Sequence, residues 1–247
     1  MRVAPPKHPA FTVASFNTSA KFKTQANARI KRLLKKRHLM IALARQEPNW
    51  ATSVPAWARK AGWRTTKHDW RQQQVWHREA KGFAVHRTGV DLLTNSRPIE
   101  ASAAGPTNAS PRKVAWVAGD VYGRNVVIAS VHLTPSVQFP LARALNREQV
   151  IALVAWAKGW QAKGYEVVIL GDFNFLPFHT NSQPLWRAGF ECINHDDGWT
   201  HRKSKRGKGR TIDHCWISPG LKEVWSQLEA GHRADDHRIL VSRIRFR

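Results

Sequence analysis

Apolar residues in this chain come in short bursts, and the bursts follow one order twice. FTVASF (11–16) has strand character, residues 24–38 place Ala26, Ile30, Leu33 and Leu34 on one helical face, and LMIALA (39–44) is another run of buried-strand length. Shorter β-like runs follow at 74–78, 82–87 and 90–93, and the Ser, Ala, Gly and Pro-rich stretch 102–111 reads as loop. The second half repeats the style. Strands are predicted over 114–118 and 126–133, a helix over 141–160 that stops at Gly164, and a strand over 166–170. A short helix near 183–188, a basic loop, and strands over 211–218, 221–228 and 238–246 complete the chain. No repeat or linker divides it. This order predicts two packed sheets with outer helices in a single domain, residues 11–247, behind a flexible segment 1–10. A doubly wound dinucleotide fold is disfavoured, because no G-x-G-x-x-G follows the first strand.

The longest uninterrupted apolar run, 150–157, is far too short to span a bilayer, and MRVAPPKHPA at the start holds no stretch of signal-peptide length. A cytoplasmic protein without a membrane span is therefore expected, and no obligate protein partner is evident. Cys192 and Cys215 lack metal-ligand spacing, which fits a reduced compartment. Charge is the dominant bulk property: 40 Lys and Arg against 17 Asp and Glu leave a net +23. Such a field attracts polyanions, nucleic acid first and anionic membrane second. The 12 tryptophans offer faces for base stacking, although most Trp fills core.

The sharpest motif is Gly171-Asp172-Phe173-Asn174, set directly after an apolar strand, so that a carboxylate and an amide project from the strand's end. An acid in such a turn is, taken alone, more often a turn former or helix cap. Other polar groups also stand at strand ends: Asn17, Gln46-Glu47, His132 and Asp213-His214, with Asp236-His237 just before the last strand.

In this order FTVASFN (11–17), LARQE (43–47), SVHL (130–133), GDFN (171–174), RTIDHCWIS (210–218) and DDHR (235–238) resemble the motifs of the endonuclease/exonuclease/phosphatase superfamily. That superfamily includes pancreatic-type DNases, abasic-site endonucleases, sphingomyelinases and inositol polyphosphate phosphatases. The resemblance implies a four-layer α/β sandwich, two mainly antiparallel sheets flanked by helices. It also implies that Glu47 binds Mg²⁺ or Mn²⁺, with Asn17 and Asp236 helping to hold metal, water or phosphate. Oxygen ligands suit those ions. His237 becomes the general base or acid, paired with Asp213, which fixes its tautomer. Asp172 would align and activate the attacking water, Asn174 would hold that water or a phosphoryl oxygen, and His132 would stabilise phosphorane-like charge or protonate the leaving oxygen. Two departures stand out: Asp235 where the family usually has Ser, and His214 where Tyr is frequent. Glu79, His86 and Asp91 are all candidates for the acid supporting His132, and the sequence leaves that choice open. No G-x-S-x-G is present and neither cysteine has an activating neighbour, so water is the expected nucleophile.

Substrate class is read from charge. Arg202, Lys203, Lys205, Arg206, Lys208 and Arg210 precede the strand bearing Asp213, so this loop is expected at the rim of the site, on the phosphate backbone of a nucleic acid. Arg29, Lys31, Arg32, Lys35, Lys36 and Arg37 on the first helix are expected to form a solvated outer face. The leading expectation is a nuclease, with DNA the preferred substrate. A phosphatase or phospholipase acting on phosphoinositide or other small phosphate esters is the second reading, and a catalytically silent nucleic-acid-binding module the third. Retention of the whole motif set speaks against the last.

Overall fold

Period-2 alternation decides what each strand buries. In residues 126–131, Val126 and Ile128 point into one apolar cluster while Val127, Ala129 and Val131 point into another; in residues 167–170, Val168 and Leu170 part from Val167 and Ile169 in the same way. Strands apolar on both faces need cover on both sides, and that requirement generates the layers. The structure, a computed structural model, describes residues 10–18, 23–37, 40–48, 54–66, 72–80, 82–102, 105–135, 137–202, 209–229 and 236–247. Most of segment 1–10, and Lys203, Lys205, Arg206, Lys208 and Asp235, lie outside the described residues.

The elements run β1 (Ala10–Asn17), α1 (Lys23–Lys36), β2 (Met40–Gln46), α2 (Ala56–Lys60), β3 (Arg64–Thr65), β4 (Gln73–His77), β5 (Phe83–Thr94), β6 (Arg97–Ser102), β7 (Gly105–Ala109), β8 (Arg112–Val121), β9 (Arg124–His132), α3 (Pro140–Gln161), β10 (Glu166–Asp172), α4 (Gln183–Arg187), β11 (Glu191–Cys192), β12 (Asp213–Ile217), β13 (Leu221–Leu228) and β14 (Leu240–Phe246). One six-stranded sheet has the order β13-β14-β1-β2-β4-β3 and the other β11-β12-β10-β9-β8-β5. Each is antiparallel except for a central parallel pair, β1 with β2 and β9 with β10. Parallel neighbours need a crossover, and α1 and α3 supply it in the two halves. The inner faces of the sheets share one core containing Phe11, Val13, Ala44, Val117, Ile128, Leu170, Ile217 and Leu240. Ala26, Ile30 and Leu33 of α1 cover the first sheet, while Val150, Leu153, Ala157 and Trp160 of α3 cover the second. The four-layer sandwich is the one expected.

Two local expectations need correction. The runs 82–87 and 90–93 form one strand, β5, because β8 pairs along its whole length through two register shifts. The predicted loop 102–111 contains β7, which pairs with β6 as a two-stranded ribbon. Ile99 and Ala109 of that ribbon bury against Ala142 and Leu145 of α3, so packing overrides the turn-forming composition. Among the described residues no helix is long and apolar enough to cross a membrane.

Candidate active site

Register and parity build the site. Asp172 on β10 is paired with His132 on β9 and with Asp213 on β12, so three functional side chains sit side by side at one end of a sheet. Each has the parity of the inward-facing residues of its strand, namely Ile128, Leu170 and Cys215. In the facing sheet, Asn17 and Gln46 close β1 and β2 in register with each other. The sheets are tied across the gap at this end: Asn17 Nδ2 donates to Asp172 Oδ2 at 3.1 Å, and Gln46 Nε2 donates to Ser130 Oγ at 3.0 Å.

Backbone strain concentrates here. Gly171 has φ 148°, and a Cβ there would collide with the Val131 carbonyl of β9, so only glycine lets β10 approach closely enough to present Asp172. Glu47 and Asn174 are left-handed at φ 48° and 60°. Asn tolerates that region, but Glu does so at a cost that its surroundings must hold. The Glu47 N–H donates to Gln72 O at 2.8 Å, and its carbonyl accepts from Thr18 Oγ1 at 2.9 Å.

A cavity of about 550 Å³ opens at this end, lined by Asn17, Glu47, Gln72, Arg112, His132, Pro135, Asp172, Asn174, His201, Ile212, Asp236 and His237. Asp172 is its hub. Its Oδ1 accepts from the Asn174 N–H at 2.9 Å, while Oδ2 lies 3.8 Å from His132 Nε2 and 3.9 Å from His237 Nε2. Glu47 Oε1 approaches His132 Nε2 at 3.8 Å. Behind His237, Asp213 Oδ2 accepts from Nδ1 at 2.8 Å, and Asp213 is itself set by the Thr200 hydroxyl, which accepts its N–H at 2.9 Å. Asn174 Nδ2 donates to Leu133 O, a bond that closes the loop after β10 onto the end of β9.

Electrostatics separate the two histidines. Burial opposes charge on His237, but the carboxylate of Asp213, with Asp172 and Asp236 beyond it, outweighs burial and raises its pKa. Burial lowers His132 well below the ordinary range, and Arg112 and His237 lower it further. Asp172 is pushed up by burial and by Asp213, against the pull of His237, Asn17 and Asn174.

All eight residues expected to do chemistry or hold metal gather at this end: seven line the cavity and Asp213 stands directly behind it. Five lining residues were not foreseen, Gln72, Arg112, Pro135, His201 and Ile212, and two of them carry charge or a titratable ring. Arg112 is buried; its Nη1 donates to Gln72 Oε1 at 2.7 Å and to His132 O at 3.1 Å, and burial lowers its pKa to about 10, with Asp172 and Glu47 pulling it back up. His201 packs on His237 with ring centroids 4.6 Å apart, and a β-bridge joins the two residues. A lone Arg at a strand start and a His inside a basic loop carry no local signal. None of the three candidates for supporting His132 does so: His86 bonds Asp120, Asp91 accepts from Trp116 and Trp156, and Glu79 acts on His77. His214 is a core residue stacked on Phe173 and hydrogen bonded to Thr211 and Trp216. Of the basic loop, Arg202 and Arg210 are described. The Arg202 N–H donates to Asp236 O, and Arg210 bridges to His201, so both ends of the loop are anchored at the rim.

The donor set fits a hard divalent cation. In a chain of net +23, the cavity is lined by the carboxylates of Glu47, Asp172 and Asp236 against the guanidinium of Arg112 and the imidazole of His237, with the Asp213 carboxylate behind. Ligand atoms of His201, Asp236 and His237 lie within 4.8 Å of one another, as do those of Asp172, Asp213 and His237. Glu47 belongs to neither group, and it faces His132 instead.

Solved structures share this architecture at low identity. An endonuclease/exonuclease/phosphatase family protein of Bacteroides thetaiotaomicron superposes with TM-score 0.74 at 14% identity, covering 98% of this chain and 100% of its own. A mannosyl-6-phosphatase of the same organism gives 0.72 at 14%, covering 95% and 99%. The human Nocturnin catalytic domain, solved with bound sulfate, gives 0.72 at 15%, covering 98% and 99%. No curated protein matches the chain in sequence. The profile of the Endonuclease/Exonuclease/phosphatase family, however, matches residues 13–233, and with the motif residues assembled at the paired strand ends of the sandwich, the chain belongs to that family.

Proposed function

We propose that this chain is a metal-assisted phosphodiester hydrolase acting on nucleic acid, DNA in the first place. The observation that carries the reading is the shared position of Asp172 Oδ2, 3.8 Å from His132 Nε2 and 3.9 Å from His237 Nε2, inside one polar cavity. Glu47, with Asn17 and Asp236 near it, would hold a divalent cation, which when bound would supply Lewis-acid polarisation of a phosphoryl oxygen. Asp172, its proton affinity raised, orients the attacking water and takes its proton at Oδ2. His237 keeps Nδ1–H on Asp213 and presents Nε2–H toward the phosphorane charge that builds as water attacks, and that proton passes to the leaving oxygen as its P–O bond breaks. Asn174, fixed by its bonds to Asp172 and Leu133, holds the water or a phosphoryl oxygen. His132, kept neutral by burial, and Arg112 complete the wall against the transferring phosphoryl group. The substrate class rests on the net +23 and on the basic loop anchored at Arg202 and Arg210.

The test is a panel of duplex and single-stranded DNA, RNA, phosphoinositide and sugar phosphate, assayed in EDTA and after restoring Mg²⁺ or Mn²⁺. Cleavage of nucleic acid should vanish in chelator and return with metal. Full activity in excess EDTA overturns the mechanism, and hydrolysis confined to small phosphate esters overturns the substrate class.

A further inference from the structure

α1 carries Arg29, Lys31, Arg32, Lys35 and Lys36 and no acidic residue. Its apolar stripe, Ala26, Ile30 and Leu33, is buried on the first sheet, while Lys31, Arg32, Lys35 and Lys36 are exposed. A solvated face would need nothing more, but one observation connects this face to the cleft and a second gives it a groove of its own. First, α1 follows β1, whose last residue, Asn17, lines the catalytic cavity. From there Arg29 lays its guanidinium 4.8 Å over the Phe16 ring and reaches the His237 carbonyl with Nη1 at 3.5 Å. Second, Arg29, Arg32 and Lys36, spaced to share one helical face, line a separate cavity of about 120 Å³ with Leu33, Glu229 and Ile239. Glu229 takes up Lys36 and Arg37 at 3.3 Å each, whereas Arg32 has no ion-pair partner among the described residues.

We infer that this face of α1 is a docking track for a polynucleotide strand, leading from the wall of the cleft at Arg29 outward to Lys36. The inference rests on the nucleic-acid reading of the catalytic site. At about 1.5 Å per residue, the seven steps from Arg29 to Lys36 cover about 10 Å, roughly three nucleotide steps of a duplex strand at about 3.4 Å each. The contacts are to phosphate, so the track supplies affinity without sequence preference. Its occupant is a polyanion because the face offers cations above a narrow groove whose one carboxylate among the described residues, Glu229, is already paired with Lys36 and Arg37.

The experiment compares the parent chain, the double variant Arg32→Gln/Lys36→Gln, and a control, Lys163→Gln/Lys222→Gln, which removes the same charge at exposed positions beside the opposite strand ends. Binding of labelled single-stranded and duplex DNA is measured in EDTA across a salt series, and turnover of a small phosphodiester reporter is measured with metal. The track variant should bind about tenfold more weakly at low salt, with its log K against log salt slope reduced by about 1.4 to 1.8 for two lost phosphate contacts. Reporter turnover should match the parent, and the control should bind as the parent does. Equal affinity and slope in variant and parent overturn the track while leaving the hydrolase reading intact. No DNA binding by the parent overturns both, whereas binding without cleavage overturns the hydrolase reading alone. A loss seen only on phosphatidylserine vesicles, with DNA binding unchanged, overturns the track in favour of a membrane contact.

Discussion

His132 and His237 both face Asp172, yet their neighbours drive them toward opposite protonation states. His237 has Asp213 at 2.8 Å behind Nδ1, whereas His132 Nδ1 is buried with no hydrogen-bond partner among the described residues and Arg112 stands nearby. Groups whose proton affinities are pushed apart in one cavity can divide acid–base work between them. The charged member, His237, is the one whose removal should cost most. His237→Ala is expected to lower turnover by roughly 10²- to 10⁴-fold. Asp213→Asn should also be strongly impaired, since it weakens the hold on the imidazole's charge and orientation while the fold is retained. Stopped-time assays on folded protein, verified by circular dichroism, check both. Near-parental turnover in the two variants removes the dyad from the mechanism.

The catalytic strand ends are held from outside by α3, through two buried amides that interrupt its apolar stripe. Asn146 Nδ2 donates to Thr134 O at 2.8 Å and to Phe173 O at 3.1 Å, and its Oδ1 accepts from Asn181. Gln149 Oε1 accepts from the Thr134 N–H at 2.8 Å, and its Nε2 donates to Thr134 Oγ1 and Thr94 Oγ1. Thr134 lies just past His132 and Phe173 just past Asp172, so one helix fixes where both residues emerge. Asn146→Leu keeps the branching of the side chain but removes the donor to the Thr134 and Phe173 carbonyls and the acceptor of Asn181 Nδ2, which retains its bond to Arg143 O. It should therefore cost about 1–3 kcal/mol in urea unfolding and reduce turnover. Parental stability together with parental turnover would show that the hub positions nothing.

Two buried histidines, one in each sheet, make the whole sandwich sensitive to acid. Burial lowers both His77 on β4 and His214 on β12 from 6.5 to about 4. The folded state thus resists a proton that the unfolded chain accepts below pH 6.5. The stability tied to each histidine is complete above pH 6.5 and is lost as pH falls toward 4. Between pH 6.5 and 5 the loss is on the order of 2 kcal/mol for each. His214→Phe keeps an aromatic ring against Phe173 and should flatten that limb of the stability profile in urea unfolding at pH 7, 6 and 5. An unchanged slope would show that His214 does not titrate in this way.

The sequence by itself determined the layers, and its resemblance to a known family pointed to the residues expected at the site. Short apolar runs with alternating faces dictate strands buried on both sides, and the six ordered motifs name Asn17, Glu47, His132, Asp172, Asn174, Asp213, Asp236 and His237. Asn17, His132, Asp172 and Asp213 stand at strand ends, so pairing in register groups them, whereas Asp236 and His237 lie ahead of β14 and are set by the bridge of His237 to His201. Tertiary structure alone decided what depends on distant segments meeting. Arg112 and His201 enter the cavity because β8 and the 200–202 segment are brought beside β9 and His237 by pairing, and no local pattern marks either. Ile99 and Ala109 make a ribbon of an apparent loop because α3 offers them a buried face. The opposite charge states of His132 and His237 follow from burial and from carboxylates and a guanidinium on separate strands, because a field is the property of an arrangement and not of a residue.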